Sequence, residues 1–260
     1  MNKPNKCKCC HSTDLNLLGN LDANRACWDR YGTRVFLPSE ILLPYYSCIN
    51  CGFIFTTFMD EWSPEDFKNK IYNEDYLTKV NPPLPEDKAR PANETGSYIL
   101  GKHLAFMLDG SQKRIKVLDY GAGSEISLMG NAFIDSGFDY YSYEPYLTNS
   151  NKSFPGGQFD FIFAIEVVEH CHNLEDLTNF IKEHLTTEGI FYIQTGIHPF
   201  PTPENILNSW YIAPRDGHIS IFTFKALAAL FRGAGINVVE TLYGILAFKQ
   251  LPNYPNKFFV

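Results

Sequence analysis

Long apolar runs are missing from this sequence of 260 residues. No stretch approaches the roughly 20 consecutive apolar residues that a bilayer-spanning helix needs, so no transmembrane segment is expected. The opening residues, Met1 to Ser12 (MNKPNKCKCCHS), also lack the apolar core of a secretory signal. An excess of positive charge is missing too: Lys and Arg number 22 against 29 Asp and Glu, a formal net charge of -7 at pH 7. That balance offers no general attraction to polyphosphate backbones or anionic lipid. The expectation is a cytoplasmic protein with neither nucleic acid nor membrane as a partner. Internal repeats and low-complexity segments are absent as well, which excludes a repeat architecture.

What is present divides the chain in three. Residues 1–59 carry most of the cysteines and read as a zinc-ribbon-like module. Residues 60–110 read as a linker, Pro-rich at Asn81 to Pro85, and a lead-in helix from Ser97 to Leu108. Residues 111–260 alternate between strand and helix patterns. Ile115 to Asp119 and Tyr140 to Glu144 read as strands, and Phe159 to Ile165 (FDFIFAI) is apolar enough for a strand covered on both faces. Asn173 caps a helix with Leu174, Leu177, Ile181 and Leu185 on one face. Gly189 to Thr195 gives another strand, and Thr223 caps a second helix with Phe224, Leu227 and Phe231 in a stripe that ends before Gly235. Strands at Asn237 to Leu242 and Gly244 to Lys249 close the chain. This alternation predicts an open α/β sheet that binds ligands beyond the carboxyl ends of its strands.

The seven cysteines are odd in number and clustered, a pattern that favours metal binding over disulfides in a reducing compartment. Cys7 with Cys10, and Cys48 with Cys51, form two Cys-x-x-Cys knuckles that supply four thiolates for tetrahedral zinc. Four thiolates close the coordination shell, so the ion is expected to be structural and to fold a segment too small for its own core. Cys9 could replace Cys7 or Cys10, and His11 is a more distant choice; Cys27 and Cys171 read as plain thiols. The rival reading is a redox pair, but a redox Cys-x-x-Cys normally opens a helix, and neither knuckle does so clearly.

The chemistry of the α/β part begins at Val117 to Glu125 (VLDYGAGSE), an apolar strand running into a glycine turn. Glycines there let a ligand approach the backbone, and a following helix presents unpaired N–H groups. A second strand ends in Tyr143-Glu144-Pro145, which places a carboxylate where two ribose hydroxyls can donate to it. Together they suggest a nucleoside ligand; the plainer reading is a tight turn and a surface Glu.

The segments LDYGAGS, YEP, FDFIFAIEVVEH and EGIFYIQT resemble, in order and spacing, those of class I S-adenosylmethionine-dependent methyltransferases. The sequence is more closely similar to a methyltransferase domain 23-like subgroup with an amino-terminal Cys-pair module, a segment like IYNEDY and a late segment like WYIAPRDGHISIFT. The likeness covers Cys7 to about Gly235. It implies a Rossmann-like sheet with helices on both faces, S-adenosylmethionine as cofactor and a small-molecule methyl acceptor such as a sugar, polyketide or lipid-linked metabolite. It implies that Asp119, Gly121, Ala122 and Gly123 line the methionine end of the cofactor. Glu144, followed by Pro145, would hold the ribose, and Ala164, Ile165 and Glu166 would flank the cofactor. Glu125 stands where the family usually has a further glycine. Only 14 residues separate Glu144 from Phe159, so the sheet edge is expected to be abbreviated.

A sulfonium methyl is already electrophilic, so the protein's main task is to align an acceptor and remove its proton. His218, His170 and Glu166 are the candidates for the proton, with His218 first. Tyr211 and Trp210 could cover the acceptor and Arg215 could engage an anionic group on it. The plainer reading of His218 is a hydrogen-bonded loop residue, and of His170 a group that satisfies backbone near the strand end. Two other functions remain open: a non-catalytic scaffold of the same fold that uses its zinc module for protein contacts, and a dinucleotide-dependent oxidoreductase. The turn disfavours the oxidoreductase because it lacks the third glycine of G-x-G-x-x-G.

Overall fold

The computed structural model describes residues 3–80, 91–108, 115–146, 154–253 and 256–259. The Pro-rich stretch at 81–85 lies outside the described residues. The chain forms two compact units. One gathers the described residues of Met1–Pro83, Val168–Thr178 and Thr195–Gly233; the other gathers those of Leu84–Val167, Asn179–Gln194 and Ala234–Val260. No helix among the described residues is long and apolar enough to cross a membrane.

The second unit is built on a six-stranded mixed sheet. It contains β4 (Lys116–Tyr120), β5 (Asp139–Tyr143), β6 (Phe159–Ile165), β7 (Leu185–Gln194), β9 (Asn237–Thr241) and β10 (Gly244–Phe248), in the order β5-β4-β6-β7-β10-β9. Neighbours among β5, β4, β6 and β7 pair in parallel, whereas β10 runs antiparallel to both β7 and β9. Phe161 and Phe163 of β6 are buried with Val117, Ile190 and Leu246 of neighbouring strands, and each such aromatic contributes about 1.5–3 kcal/mol by leaving water. The helices α2 (Gly96–Leu108) and α3 (Leu128–Ile134) add Leu104, Met107, Leu108, Met129 and Phe133 to this core. Gly101 lets them approach, since a β-carbon there would stand 2.8 Å from Ala132 Cβ.

Sequence periodicity placed these elements closely, with one instructive difference. Leu185 continues the apolar stripe of α4 (Leu174–His184), yet it is the first residue of β7, paired with Phe159 at the start of β6. It is fully buried, so helix-type spacing and strand pairing satisfy the same side chain. At the other edge β5 is the last strand among the described residues, as the short Glu144-to-Phe159 connection predicts.

The first unit holds a small antiparallel sheet in the order β1-β2-β3-β8, from β1 (Leu15–Asp22), β2 (Leu42–Cys48), β3 (Ile54–Phe55) and β8 (Ser220–Ile221). The late segment therefore completes the sheet that the cysteine segment begins: Ile54 pairs with Ile221 and Phe55 with Ser220. Phe53 stacks on Phe55 at 5.3 Å and meets Phe222 at 5.0 Å, all three fully buried. Helix α1 (Pro64–Lys70) starts at a reciprocal cap between Ser63 and Asp66, with Pro at its first position. Helix α5 (Phe224–Gly233) is capped by the Thr223 hydroxyl, which accepts from the Ala226 N–H at 2.9 Å.

Candidate functional site

In the second unit the parallel register brings the carboxyl ends of β4, β5 and β6 to one edge, with Tyr120 level with Tyr143 and Asp119 level with Phe163. Gly121 and Gly123 leave β4 with φ of +81° and +63°, a left-handed conformation that costs any residue with a β-carbon. A β-carbon on Gly121 would also stand 2.5 Å from Val167 Cγ1. The Gly121 and Ala122 N–H groups donate to the Tyr143 carbonyl at 2.8 and 3.3 Å, which ties the turn to the end of β5. The Gly123 N–H donates to Glu144 Oε2, and the Tyr146 N–H to Oε1, both at 3.0 Å. Glu144 is only 8% exposed; burial pushes its carboxyl up, and the two N–H groups oppose that shift. Pro145 follows, partly buried.

Asp119 is anchored differently. Its Oδ2 accepts from the Ser127 hydroxyl at 2.7 Å and from the Tyr140 hydroxyl at 3.0 Å, while Ser127 caps α3 through the Gly130 N–H. Burial pushes its carboxyl up to about 6 against those two donors. Ala164 is buried and Ile165 partly so at the end of β6, and the exposed Glu166 follows at φ +52°, with its N–H on the Gln194 carbonyl at 2.8 Å. A non-glycine residue in this region is an uncommon conformation that stores strain and clusters at functional sites. Glu125 is exposed and is not among the positive-φ residues, so the missing glycine leaves the turn intact.

In the first unit a polar cluster forms around Glu169, whose side chain is fully buried. The Tyr211 hydroxyl donates to its Oε1 at 2.7 Å and the Thr195 hydroxyl to its Oε2 at 2.9 Å. Tyr211 is itself fixed, because the Gly196 N–H donates to its oxygen at 2.8 Å. His170 Nε2 lies 3.9 Å from Glu169 Oε1, and His170 Nδ1 shares a hydrogen bond of 3.1 Å with the Tyr72 hydroxyl. His218 packs edge-on against His170, with ring centroids 4.7 Å apart. Its Nδ1 lies 2.9 Å from the Tyr211 carbonyl; a carbonyl only accepts, so Nδ1 carries the proton and Nε2 the lone pair. Burial, with His170 alongside, pushes His218 far below the usual imidazole range and keeps the ring neutral. Cys27 Sγ lies 3.7 Å from the same Nδ1.

Local chain geometry assembles this cluster. Pro214–Asp216 forms a short 3-10 turn that ends at Gly217 with φ +87°. The Ile219 N–H then donates to the Glu169 carbonyl at 3.0 Å, which sets His218 beside the Glu169-His170 pair. The buried Arg215 faces the IYNEDY segment: Nη1 donates to the Ile71 carbonyl and Nη2 to Asn73 Oδ1, both at 2.9 Å. Of the residues singled out in the sequence, His170, His218 and Tyr211 meet in one cluster. Arg215 pins a neighbouring segment, and Glu166 stands at the tip of β6. Glu169, Thr195 and Tyr72 escaped sequence reasoning; the only signal was Glu169 beside His170, and side-chain direction in a short 3-10 turn has no readable period.

The cysteines form the third arrangement. The sulfurs of Cys7, Cys10, Cys48 and Cys51 all lie within 4.8 Å of one another, with Cys7 to Cys51 at 3.6 Å and Cys10 to Cys48 at 3.5 Å. Bonds of about 2.3 Å to a tetrahedral ion set sulfurs about 3.8 Å apart, so the four fit such an ion. The Cys9 N–H and the Asn50 side chain donate to the sulfurs of Cys7 and Cys10. Cys9 itself is buried outside the four, and burial pushes its thiol well up. Hydrogen bonding from Cys51 and Cys9 pushes the Cys7 thiol down, while the bond to Cys7, with burial, pushes Cys51 up. Gly52 closes the second knuckle at φ +78°, and a β-carbon there would stand 2.7 Å from Thr223 Cγ2. The Thr223 hydroxyl donates to the Cys51 carbonyl at 2.6 Å.

No curated protein matches this sequence. Solved structures that resemble it include mitomycin 7-O-methyltransferase, 16% identical with a TM-score of 0.42 over 58% of this chain and 52% of that one. A putative O-methyltransferase from Nostoc punctiforme is 17% identical with a TM-score of 0.39 over 58% and 56%. Coclaurine N-methyltransferase, solved with N-methylheliamine and SAH, is 16% identical with a TM-score of 0.36 over 60% and 53%. The chain spans about half the length of each of these structures. The family model described as "Methyltransferase domain" matches residues 92–241, more than half of the chain, and the protein belongs to that family.

Proposed function

We propose that the protein transfers a methyl group from S-adenosylmethionine to a small-molecule acceptor, and that its four clustered cysteines hold a structural zinc. The observation that carries this reading is the Glu144 carboxylate fixed by two backbone N–H groups at the tip of β5, one of them from the glycine turn after β4. A buried carboxylate fixed in this way is an acceptor of the kind to which the hydroxyls of a ribose donate. Among the described residues, nothing stands within 4 Å of where a β-carbon on Gly123 would lie, which leaves space over the turn. The residues present fit the cofactor. When bound, it supplies a methyl carbon made electrophilic by the sulfonium.

This chain's own residues bind, orient and move a proton. Asp119, Gly121, Ala122 and Gly123 border the methionine end in this reading, Glu144 and Pro145 the ribose, and Ala164, Ile165 and Glu166 the remainder. Within the first unit, the cluster of Glu169, His170 and His218, which Tyr211 orients and which Arg215 supports by pinning Ile71 and Asn73, is the candidate for taking a proton from an acceptor. The sequence points to His218 first as the base, but a ring so strongly biased toward neutrality is a weak proton acceptor near pH 7. The cluster therefore acts as a unit.

Calorimetric titration of the zinc-replete protein with S-adenosylmethionine, and separately with reduced dinucleotides, tests the reading. One saturable site for S-adenosylmethionine and none for the dinucleotides is expected. Absence of S-adenosylmethionine binding would sink the proposal.

A further inference from the structure

We propose that Glu169, His170 and His218 form a second metal site, separate from the four cysteines, which takes a divalent transition ion and binds the acceptor's oxygen. The inference deepens the methyltransferase reading and rests on it for the role of the ion, not for its binding. One ligand atom from each residue lies within 4.8 Å of the others, and Glu169 Oε1 stands 3.9 Å from His170 Nε2. Bonds of about 2.0–2.2 Å place neighbouring ligand atoms roughly 3.4 Å apart, so the Glu169–His170 pair would close by about half an ångström and no pair by more than about 1.5 Å.

The groups around the three residues have the arrangement that metal ligands require. A ligating imidazole normally donates its other ring N–H to an oxygen, and a ligating carboxylate is itself hydrogen-bonded. His218 Nδ1 donates to the Tyr211 carbonyl, which leaves the Nε2 lone pair for the ion. His170 Nδ1 is engaged by the Tyr72 hydroxyl. Glu169 is held from both oxygens, by Tyr211 and by Thr195. Tyr211 thus braces two of the three ligands, one through its hydroxyl and one through its carbonyl.

Donor chemistry selects the ion. Two imidazoles and one carboxylate suit Mn2+, Fe2+, Co2+ or Zn2+, whereas Mg2+ and Ca2+ prefer all-oxygen shells and the thiolate cluster selects zinc. Three protein ligands leave at least one position open, the hallmark of a catalytic rather than structural site. The acceptor class follows: a hydroxyl or enol oxygen that can enter that position. Coordination would lower the pKa of the O–H group, so that its proton passes to solvent water near neutral pH. The cluster removes a proton in this way without either imidazole having to hold it.

The test uses the full chain with one equivalent of zinc already bound. Mn2+ is titrated in and followed by loss of the free-ion paramagnetic resonance signal, with S-adenosylmethionine affinity measured on the same samples. One Mn2+ site is expected in wild type. It should weaken about 100-fold in His218→Ala and about 10-fold or more in Thr195→Val, whose hydroxyl orients Glu169 and meets the Tyr211 hydroxyl at 3.2 Å without being a ligand. His170→Gln, at the most exposed of the three ligands, guards against misfolding and should also lose the site. No Mn2+ uptake by wild type, or uptake by His170→Gln equal to wild type, overturns the metal site even if S-adenosylmethionine binds. Mn2+ uptake without S-adenosylmethionine binding keeps the site and overturns the methyltransferase reading instead.

Discussion

Gly217 leaves no room for a side chain beside His170: a β-carbon on it would stand 2.8 Å from the imidazole Nδ1 and 3.1 Å from the Tyr72 hydroxyl. Its φ of +87° adds a second reason for glycine. Gly217→Ala is therefore expected to cost about 1–2 kcal/mol from the left-handed backbone alone. That corresponds to a fall in Tm of about 2–8 °C, and the clash should also part Tyr72 from His170. Differential scanning calorimetry checks the first effect. A melting point equal to wild type would show that the turn relaxes freely and that the cluster is not tightly built.

Asp119 gives a dependence of stability on pH with a definite sign. Burial raises its carboxyl from 3.8 to about 6, so the folded chain holds this proton at pH values where the unfolded chain has lost it. Stability from this group is then greatest at low pH and falls as pH climbs through that interval. At about 1.4 kcal/mol per unit the loss is of order 3 kcal/mol. Asp119→Asn keeps an oxygen to accept from Ser127 and Tyr140 but cannot titrate. Relative to wild type, the cofactor-free variant should gain stability between pH 4 and pH 8. A difference that stays flat across that range, measured by denaturant unfolding, would contradict the buried-carboxylate account.

The parts of the fold that could be read from the sequence are those with a period or a spacing. FDFIFAI matches β6 residue for residue, Asn173 and Thr223 cap the helices that follow them, and the two knuckles bring together the four predicted sulfurs. What could not be read depends on contacts between distant segments. The two-residue strand β8 has no period, yet it joins the sheet begun near Cys48, because backbone pairing with β3 decides its state. Glu169 looks like any acid after a strand. Its role depends on Tyr211 and Thr195, which lie 42 and 26 residues away along the chain. Arg215 reads from the sequence as available to a ligand, because sequence does not show that Ile71 and Asn73 receive its guanidinium.

Thr223 couples the cysteine cluster to the start of α5, since one hydroxyl donates to the Cys51 carbonyl and accepts from the Ala226 N–H. Thr223→Val keeps the shape and removes both bonds. Loss of a helix cap and of a buried hydrogen bond predicts about 1–3 kcal/mol of destabilisation with zinc retained. Cys48→Ser combined with Cys51→Ser should abolish stoichiometric zinc, because two of four thiolates are gone. Elemental analysis after exhaustive dialysis separates the two effects. Full zinc in the double variant would remove the metal assignment for the cysteines.

Glu144 offers the sharpest test of the cofactor site because two substitutions separate structure from recognition. Glu144→Ala leaves the Gly123 and Tyr146 N–H groups without their partner, so both stability and cofactor affinity should fall. Glu144→Gln keeps the shape and one carbonyl oxygen, so one of the two N–H groups keeps its acceptor and the fold should persist with a smaller loss of stability. Its amide nitrogen donates where a ribose hydroxyl needs an acceptor, and hydrogen bonds to a charged group are worth about 1.5–3 kcal/mol. S-adenosylmethionine binding should therefore weaken about 10- to 100-fold in Glu144→Gln, with a smaller fall in Tm than in Glu144→Ala. Equal affinity in Glu144→Gln and wild type would mean that the carboxylate serves the turn alone, and that the nucleoside is held by other groups.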